Sequence, residues 1–439
     1  MASRPQLPPV ADVVSLAVSL HQGGHVSEAE GLYQRALERE PENVDALHFL
    51  GVLRHQQGSS DEAVRLIRRS LRGNPRYHGA RNNLGNVLKE SERFVEAEAE
   101  YRKVIEADPK HADAHNNLGA VLRALKRNDE AIASFEAAIE LQPRHADAHQ
   151  NLGNALKAGG RQEEALMAFR KAVEIDPNRS TSRLNLGRAL YAFGRIDEAI
   201  IVYRQWLAIA PDNPIAKHML AACEGNEVPD RCSEAFVRES FDAFASSFDE
   251  VLGRLDYRAP AQIADALSDV ATPQGDMQVL DAGCGTGLCG EDLRSYAKRL
   301  VGIDLSPKMM IKAAARGVYD ELIEADLVEY LSEHADHYDL IVSCDTLIYF
   351  GALEAAIGAA AKALRPGGRL LFTVESLSDA DDVPPYLLHP HGRYSHRQDY
   401  LTDCINRASL GVRAIEPVTL RLELKRPVHG FVVTAIKET

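Results

Sequence analysis

Acidic residues and glycines crowd one short stretch of the chain. Asp281, Gly283, Gly285 and Gly287 form a D-x-G-x-G-x-G run in VLDAGCGTGLCG. Glycines let a loop turn sharply and bring its backbone close to a ligand without a Cβ in the way. Asp304 follows in LVGIDLSPKMM, at the end of the next apolar run. A carboxylate placed there can hold both hydroxyls of a ribose. Glu324-Ala325-Asp326-Leu327 ends the third run and puts Asp326 where it can meet an adenine amino group. The chemistry these residues suit is the binding of a nucleoside-type ligand. Gly285, Gly287 and Gly290 also satisfy G-x-G-x-x-G, with Asp304 19 residues beyond Gly285. The dinucleotide fingerprint therefore remains open on the loop alone.

The elements that must position these residues alternate. Apolar runs at 277–281, 299–304, 321–326, 338–344 and 368–374 read as buried strands separated by helical stretches. A final pair is expected near 412–424 and 428–436. Alternation of this kind predicts a parallel sheet covered by helices on both faces. Ligands of such sheets bind at the carboxyl ends of the strands.

The set resembles the class I S-adenosylmethionine-dependent methyltransferases over about residues 235–439. Asp281 opens the loop, the strand ends follow in the family's order, and L-R-P-G-G at 364–368 leads into the fifth strand. The resemblance implies S-adenosyl-L-methionine as cofactor. It implies a cradle for the donor's methionine part at Asp281, Gly283, Cys284, Gly285 and Gly287. Asp304 takes the ribose with Leu305 and Met309 nearby, Ala325, Asp326 and Leu327 clamp adenine, and Cys344 offers backbone contacts. Two candidates for a base follow the fourth strand in CDTLIYF, Asp345 and Tyr349. LLHPHGRYSH adds His391 and His396, where the family commonly shapes its acceptor pocket. Helix capping, packing and a solvated turn are the alternatives for these four. Phe241, Phe244 and Phe248 at helical spacing suit either a segment closing over the donor or a helix docked on the sheet. The fourth strand lacks the N/D-P-P-Y sequence of amino methyltransferases acting on adenine or glutamine.

The first half is built on a period of 34 residues. Prolines recur at 41, 75, 109, 143, 177 and 211, and glycines at 51, 85, 119, 153 and 187. Glu-Ala pairs keep the same step from Glu28-Ala29 to Glu198-Ala199, each followed by a large residue such as Tyr33, Tyr101 or Phe135. This resembles the tetratricopeptide repeat over roughly residues 10–224: six units of paired helices, such as 112–125 and 128–141, and a capping helix at 214–224. The large residue is expected to fill the space between neighbouring units, and proline to end each second helix. Asn83, Asn117, Asn151 and Asn185 form a column one period apart, rimmed by Lys89, Arg123 and Lys157. The resemblance puts them on a concave face, where an amide ladder can pair with an extended peptide. Packing by repeat consensus is the alternative.

The expected fold is therefore multidomain: an all-α solenoid at 10–224, a linker at 225–234 and a Rossmann-like α/β domain at 235–439. Charge is uneven across it. Residues 226–439 hold 21 Lys and Arg against 34 Asp and Glu, whereas residues 1–225 are nearly neutral with 29 against 30. An acidic half repels nucleic-acid phosphates, or its excess simply keeps the domain in solution. No apolar run approaches the ~18 residues that a membrane span needs. Six cysteines without a C-x-x-C pair suggest neither a zinc cluster nor a disulfide framework. The expectation is a cytoplasmic enzyme that binds a protein or peptide, with no metal, no nucleic acid and no membrane. Two other readings stay open: a small-molecule methyltransferase whose repeats serve assembly, and a non-catalytic donor-binding scaffold.

Overall fold

The computed structural model describes residues 8–438 other than 227, 379–382 and 424–425. It divides into two compact units, Met1–Ala189 and Leu190–Thr439.

The first unit is built from antiparallel helix pairs such as Ala112–Ala124 with Asn128–Leu141, and Ala146–Ala158 with Gln162–Ile175. Each second helix stops two residues before its proline, as at Leu141 and Pro143. The large residue of the second helix is fully buried. A Cβ added at Gly119 would lie 2.6 Å from the Phe135 ring, and the same holds at 2.5 Å for Gly85 against Tyr101. Glycine and aromatic thus pack against each other within one unit, and Tyr33 also stacks on Phe49 of the next unit at 6.5 Å. Gly119→Ala is expected to destabilise the array by about 1–3 kcal/mol, because overpacking outweighs the better helix propensity of alanine. Thermal unfolding of that variant checks this. Adding Phe135→Leu, which clears the clash, should recover part of the loss.

Among the described residues the second unit carries one nine-stranded sheet. Its strands are β1 (Met277–Ala282), β2 (Ala297–Asp304), β3 (Glu321–Glu324), β4 (Tyr338–Ser343), β5 (Leu364–Ser376), β6 (Tyr386–Leu388), β7 (Tyr394–His396), β8 (Leu410–Glu423) and β9 (Arg426–Lys437). The expected strand end at residue 424 lies outside the described residues. The order β3-β2-β1-β4-β5 is parallel throughout. β9 then lies antiparallel to β5 over Arg369–Glu375, with β8 antiparallel beside it. β7 continues β5 in parallel at Glu375 and Ser376 and pairs antiparallel with β6. β1, β4 and β5 are buried on both faces, which accounts for their apolar runs: Leu280, Ile341 and Phe372 pack on one side, Val279, Leu340 and Leu371 on the other.

The segment between the expected domains is held at Asp230 and Cys232. Gly351 N donates to Asp230 O at 2.7 Å, and Cys232 N to Tyr349 O at 2.8 Å, with Cys232 buried. Helix Pro214–Glu224, expected to close the repeat stack, places His218 against the ring of Phe236 and within 3.0 Å of Gly392 O.

Candidate functional site: the carboxyl ends of the strands

The reversal of strand order between β1 and β4 leaves a crevice at their carboxyl ends. The glycine loop crosses it. Gly283 N and Cys284 N both donate to Ile303 O at 2.9 Å, tying the loop to β2. Gly283 has φ +83°, and a Cβ there would sit 2.1 Å from Thr346 Oγ1, so no other residue fits. Gly285, in contrast, faces open space: a Cβ on it would meet nothing within 4 Å.

Asp304 is bound into this loop. Its Oδ2 accepts from Gly285 N at 2.9 Å and its Oδ1 from Ser306 N at 2.8 Å. Burial nevertheless raises its pKa, against the pull of those two amides. Asp281 is 1% exposed and accepts from the Tyr319 hydroxyl at 2.7 Å. Burial first, with Asp304 adding repulsion, lifts its pKa to about 7 despite that hydrogen bond. Leu305 is half-buried at the rim, whereas Met309 is fully buried beneath it. Ala325 N donates to Asp304 O at 3.2 Å, which brings the end of β3 alongside. Cys344, half-buried after β4, lies 3.5 Å from the Tyr257 hydroxyl.

Asp326 departs from expectation. Its Oδ1 caps the next helix by accepting from Val328 N and Glu329 N, with Leu327 buried behind it. Its Oδ2 accepts from Arg231 Nη1 at 2.8 Å, so both oxygens are committed. Arg231 belongs to a segment, residues 231–258, that reaches every loop of the crevice. Ser306 Oγ donates to Asp242 at 2.6 Å, Thr286 Oγ1 to Asp249, and Arg316 Nη2 to Asp249 at 3.0 Å. Phe241 meets the Tyr349 ring edge-on at 5.4 Å and Phe244 meets Phe248 at the same distance. The hydrogen-bonded partners of this segment lie 37 to 95 positions apart in sequence, and spacing alone does not announce them.

Beyond β4 and β5 the four proposed bases fare differently. Asp345 has φ +52°, an uncommon conformation for a non-glycine residue, and its carboxylate is fully engaged. Thr373 Oγ1 donates to its Oδ1 at 3.0 Å and Arg421 Nη1 to its Oδ2 at 3.0 Å. His396 is wholly buried, and its Nε2 donates to the carbonyls of Phe350 at 2.9 Å and Gly351 at 3.1 Å. It fixes that loop and does not face a substrate. His391 uses Nδ1 to accept from Arg393 N at 3.3 Å, and burial followed by Arg393 lowers its pKa to about 3. Tyr349 alone keeps its hydroxyl uncommitted among the described residues, with burial raising its pKa to about 12.

Of the groups that engage Asp345 and His391, Arg393 belongs to the LLHPHGRYSH cluster, whereas Arg421 was not singled out from sequence. Arg421, 4% exposed, donates to Asp345, Glu375 and Glu423. Arg393 donates to Glu375 at 2.7 Å and to Glu423 at 2.5 Å. Burial opposes charge on Glu375, but Arg393, Arg421 and His391 outweigh it and hold its pKa down to about 2. Charged residues inside the apolar runs LLFTVES and VTLRLE were the available signal.

In the first unit the amides serve one another. Asn117 Nδ2 donates to Asn86 Oδ1 at 3.2 Å and Asn151 Nδ2 to Asn116 Oδ1 at 3.0 Å, each across to the preceding repeat. Asn83 Nδ2 pairs with His48 Nε2 at 2.8 Å, and Asn185 sits half-buried at the end of the column. The amides thus tie neighbouring repeats together, contrary to the expectation of donors left open to a peptide. Burial lowers the pKa of Lys89 and of Lys157, and Arg188 and Arg123 depress Lys157 further by charge repulsion.

The titration of Asp281 has a measurable consequence. A folded pKa raised from 3.8 to about 7 means the free protein holds that proton up to neutral pH. A cationic ligand at this carboxylate binds best once the proton has left. Affinity should therefore rise about tenfold between about pH 6 and pH 8. The same titration of Asp281→Asn should be flat by calorimetry.

A methyltransferase-domain family model matches residues 279–368. Tetratricopeptide-repeat models match 15–78, 77–144, 110–178 and 158–223. Malonyl-[acyl-carrier protein] O-methyltransferase of Serratia marcescens is 30% identical over 133 residues, which cover 30% of this chain and 52% of that protein. Ubiquinone biosynthesis O-methyltransferase of Xylella fastidiosa (strain 9a5c) is 30% identical over 153 residues, covering 32% and 61%. The chain thus spans about half to three-fifths of the length of these curated relatives. Among solved structures, that of pilF from Pseudomonas aeruginosa aligns with 48% of this chain and 96% of its own, at 21% identity and a TM-score of 0.42. No helix among the described residues is long and apolar enough to cross a membrane. The chain joins a tetratricopeptide-repeat array to a class I methyltransferase domain.

Proposed function

We propose that the chain is an S-adenosylmethionine-dependent methyltransferase whose repeats recruit a protein partner or protein substrate. The observation that carries this reading is the bond from Gly285 N to the Asp304 carboxylate beside the open space over Gly285. It supports reading the loop as a glycine cradle and Asp304 as the acid that takes the ribose. The antiparallel β9 next to β5 favours the methyl donor over a dinucleotide, because dinucleotide folds continue with parallel strands there. The residues present fit the donor. Asp281 faces its ammonium group, Gly283, Cys284, Gly285 and Gly287 its methionine chain, and Asp304 its ribose. Leu305, Ala325 and Leu327 flank adenine with Met309 beneath, and Cys344 closes the methionine end. Asp326 reaches the adenine amino group when Arg231 lets go of it. Bound there, the donor supplies a methyl group already activated by its sulfonium. The remaining task of the chain is positioning, worth up to about 7–11 kcal/mol in well-oriented reactions.

Partner recruitment is assigned to the basic column Lys89, Arg123 and Lys157, with the amide column Asn83, Asn117, Asn151 and Asn185 holding the repeats that carry it. Lys157→Glu is expected to cut capture of a partner by tenfold or more, since like charges concentrated at one place attract an acidic segment. Donor affinity in calorimetry should not change. The full chain incubated with methyl-tritiated donor and cell extract tests the whole reading. Label in the protein fraction supports it. Label confined to small molecules moves the repeats to assembly. Donor binding without any label leaves a scaffold.

A further inference from the structure

Resting on the methyl-transfer reading, we propose that the acceptor is a carboxylate, held by the Tyr349 hydroxyl and the free edge of Arg393, and methylated without a general base. The groups that meet beyond β4 and β5 divide sharply into engaged acceptors and unengaged donors.

Each side chain there that can take a proton is held by a partner on at least one atom, and the unpaired Nδ1 of His396 is itself buried. Asp345 accepts from Thr373 and Arg421, and Glu375 and Glu423 accept from Arg393 and Arg421. His391 Nδ1 accepts from the Arg393 amide, and His396 Nε2 is a donor to two carbonyls. His389 Nε2 pairs with Ser395 Oγ at 2.7 Å. Burial, the leading cause in each case, lowers the pKa of His389, His391 and His396, so all three rest neutral and are feeble bases.

Two donors remain. Among the described residues the Tyr349 hydroxyl has no partner, and Arg393 uses Nε and Nη2 on glutamates while Nη1 bonds nothing. The Arg393 side chain is 20% exposed, against 4% for Arg421, so it is the guanidinium within reach of a ligand. Arg393 and Arg421 both exert their charge on the Tyr349 phenol. A phenol and a guanidinium edge, both donors, suit an acceptor that brings lone pairs and no proton. A phenol or an ammonium acceptor must first lose a proton, and a carboxylate at neutral pH has none to lose.

The step balances without a base. One carboxylate oxygen forms a bond to the methyl carbon as the carbon–sulfur bond breaks, and the bonding pair stays on sulfur. The products are a methyl ester and a neutral thioether, and no proton is taken up or released.

Methyl esters hydrolyse in alkali to volatile methanol, whereas methyl ethers and N-methyl groups survive. The full chain is incubated with methyl-tritiated S-adenosylmethionine and cell extract, and the protein and small-molecule fractions are each treated with alkali. The expected result is volatile label, its fraction showing whether the carboxylate belongs to a protein or to a small molecule. Alkali-stable label, or none while calorimetry shows the donor bound, overturns the proposal. Failure to bind the donor overturns the methyl-transfer reading instead. Tyr349→Phe, which breaks no internal hydrogen bond, should raise KM for the labelled acceptor about tenfold and leave kcat and the unfolding temperature nearly unchanged. A turnover rate lowered by about two to four orders of magnitude would make Tyr349 a base and overturn the account. Arg393→Gln should raise KM further, and Arg393→Lys should restore part of it. An unchanged KM in both Tyr349→Phe and Arg393→Gln removes the pair from the acceptor site.

Discussion

Asp304→Ala is expected to weaken S-adenosylmethionine binding by about a hundredfold or more. Hydrogen bonds to a charged group contribute about 1.5–3 kcal/mol each, and a ribose offers two. The same carboxylate also accepts from Gly285 N and Ser306 N. Its removal therefore loosens the glycine loop as well as the ribose contact. Calorimetry on the full chain measures the affinity, and thermal unfolding shows whether the fold persists. Asp304→Asn separates the two effects. It keeps one carbonyl oxygen for Gly285 but loses the charge, so its deficit should fall between wild type and alanine. An affinity for Asp304→Ala within twofold of wild type would take Asp304 out of the site.

Arg421→Met is expected to cost about 3–5 kcal/mol of stability at neutral pH, the largest loss foreseen for any single substitution here. Methionine matches the length of the stem but leaves Asp345, Glu375 and Glu423 facing one guanidinium instead of two. Glu375 and Arg421 are 6% and 4% exposed, so water screens the lost charge poorly. The effect must depend on pH in a defined direction. Burial works against ionisation of Glu375, but Arg393, Arg421 and His391 hold its folded pKa near 2, below the ordinary 4.5. A depressed acid contributes its stability above the unfolded pKa and loses it as pH falls toward the folded one. Wild type should therefore lose stability between about pH 4.5 and pH 2. The variant, with Glu375 readily protonated, should lose less over that window. Denaturant unfolding across the range checks both curves. A constant difference between them would mean that packing of the arginine stem, and not charge, is what the variant removes.

The legible features of this chain are local. A glycine loop, an acid at a strand end and a 34-residue period each declare themselves within a few positions, because backbone conformation and helix length fix them locally. Asp281, Gly283 and Asp304 accordingly gather at the ends of β1 and β2, and Cys344 directly follows β4. Illegible features depend on residues far apart in the chain. Arg231 reaches Asp326 across 95 positions, and Arg421 reaches Asp345 across 76. The hairpin of β6 and β7 has strands of three residues, too short for alternation to register. His396 carried the appearance of a base because residue type shows a titratable ring and not the two carbonyls that fix it. The asparagine column was visible as a column, but its amides turn to the preceding repeat, a matter of the angle between neighbouring units that spacing does not encode.

The central claim is that the crevice at the ends of β1 and β2 binds a methyl donor. Calorimetric titration of the full chain with S-adenosylmethionine, and separately with NADH, tests it most directly. One site for S-adenosylmethionine and none for NADH is the predicted result. Binding of NADH with no heat from S-adenosylmethionine would contradict it, and would return the glycine loop to the dinucleotide fingerprint that its spacing also satisfies.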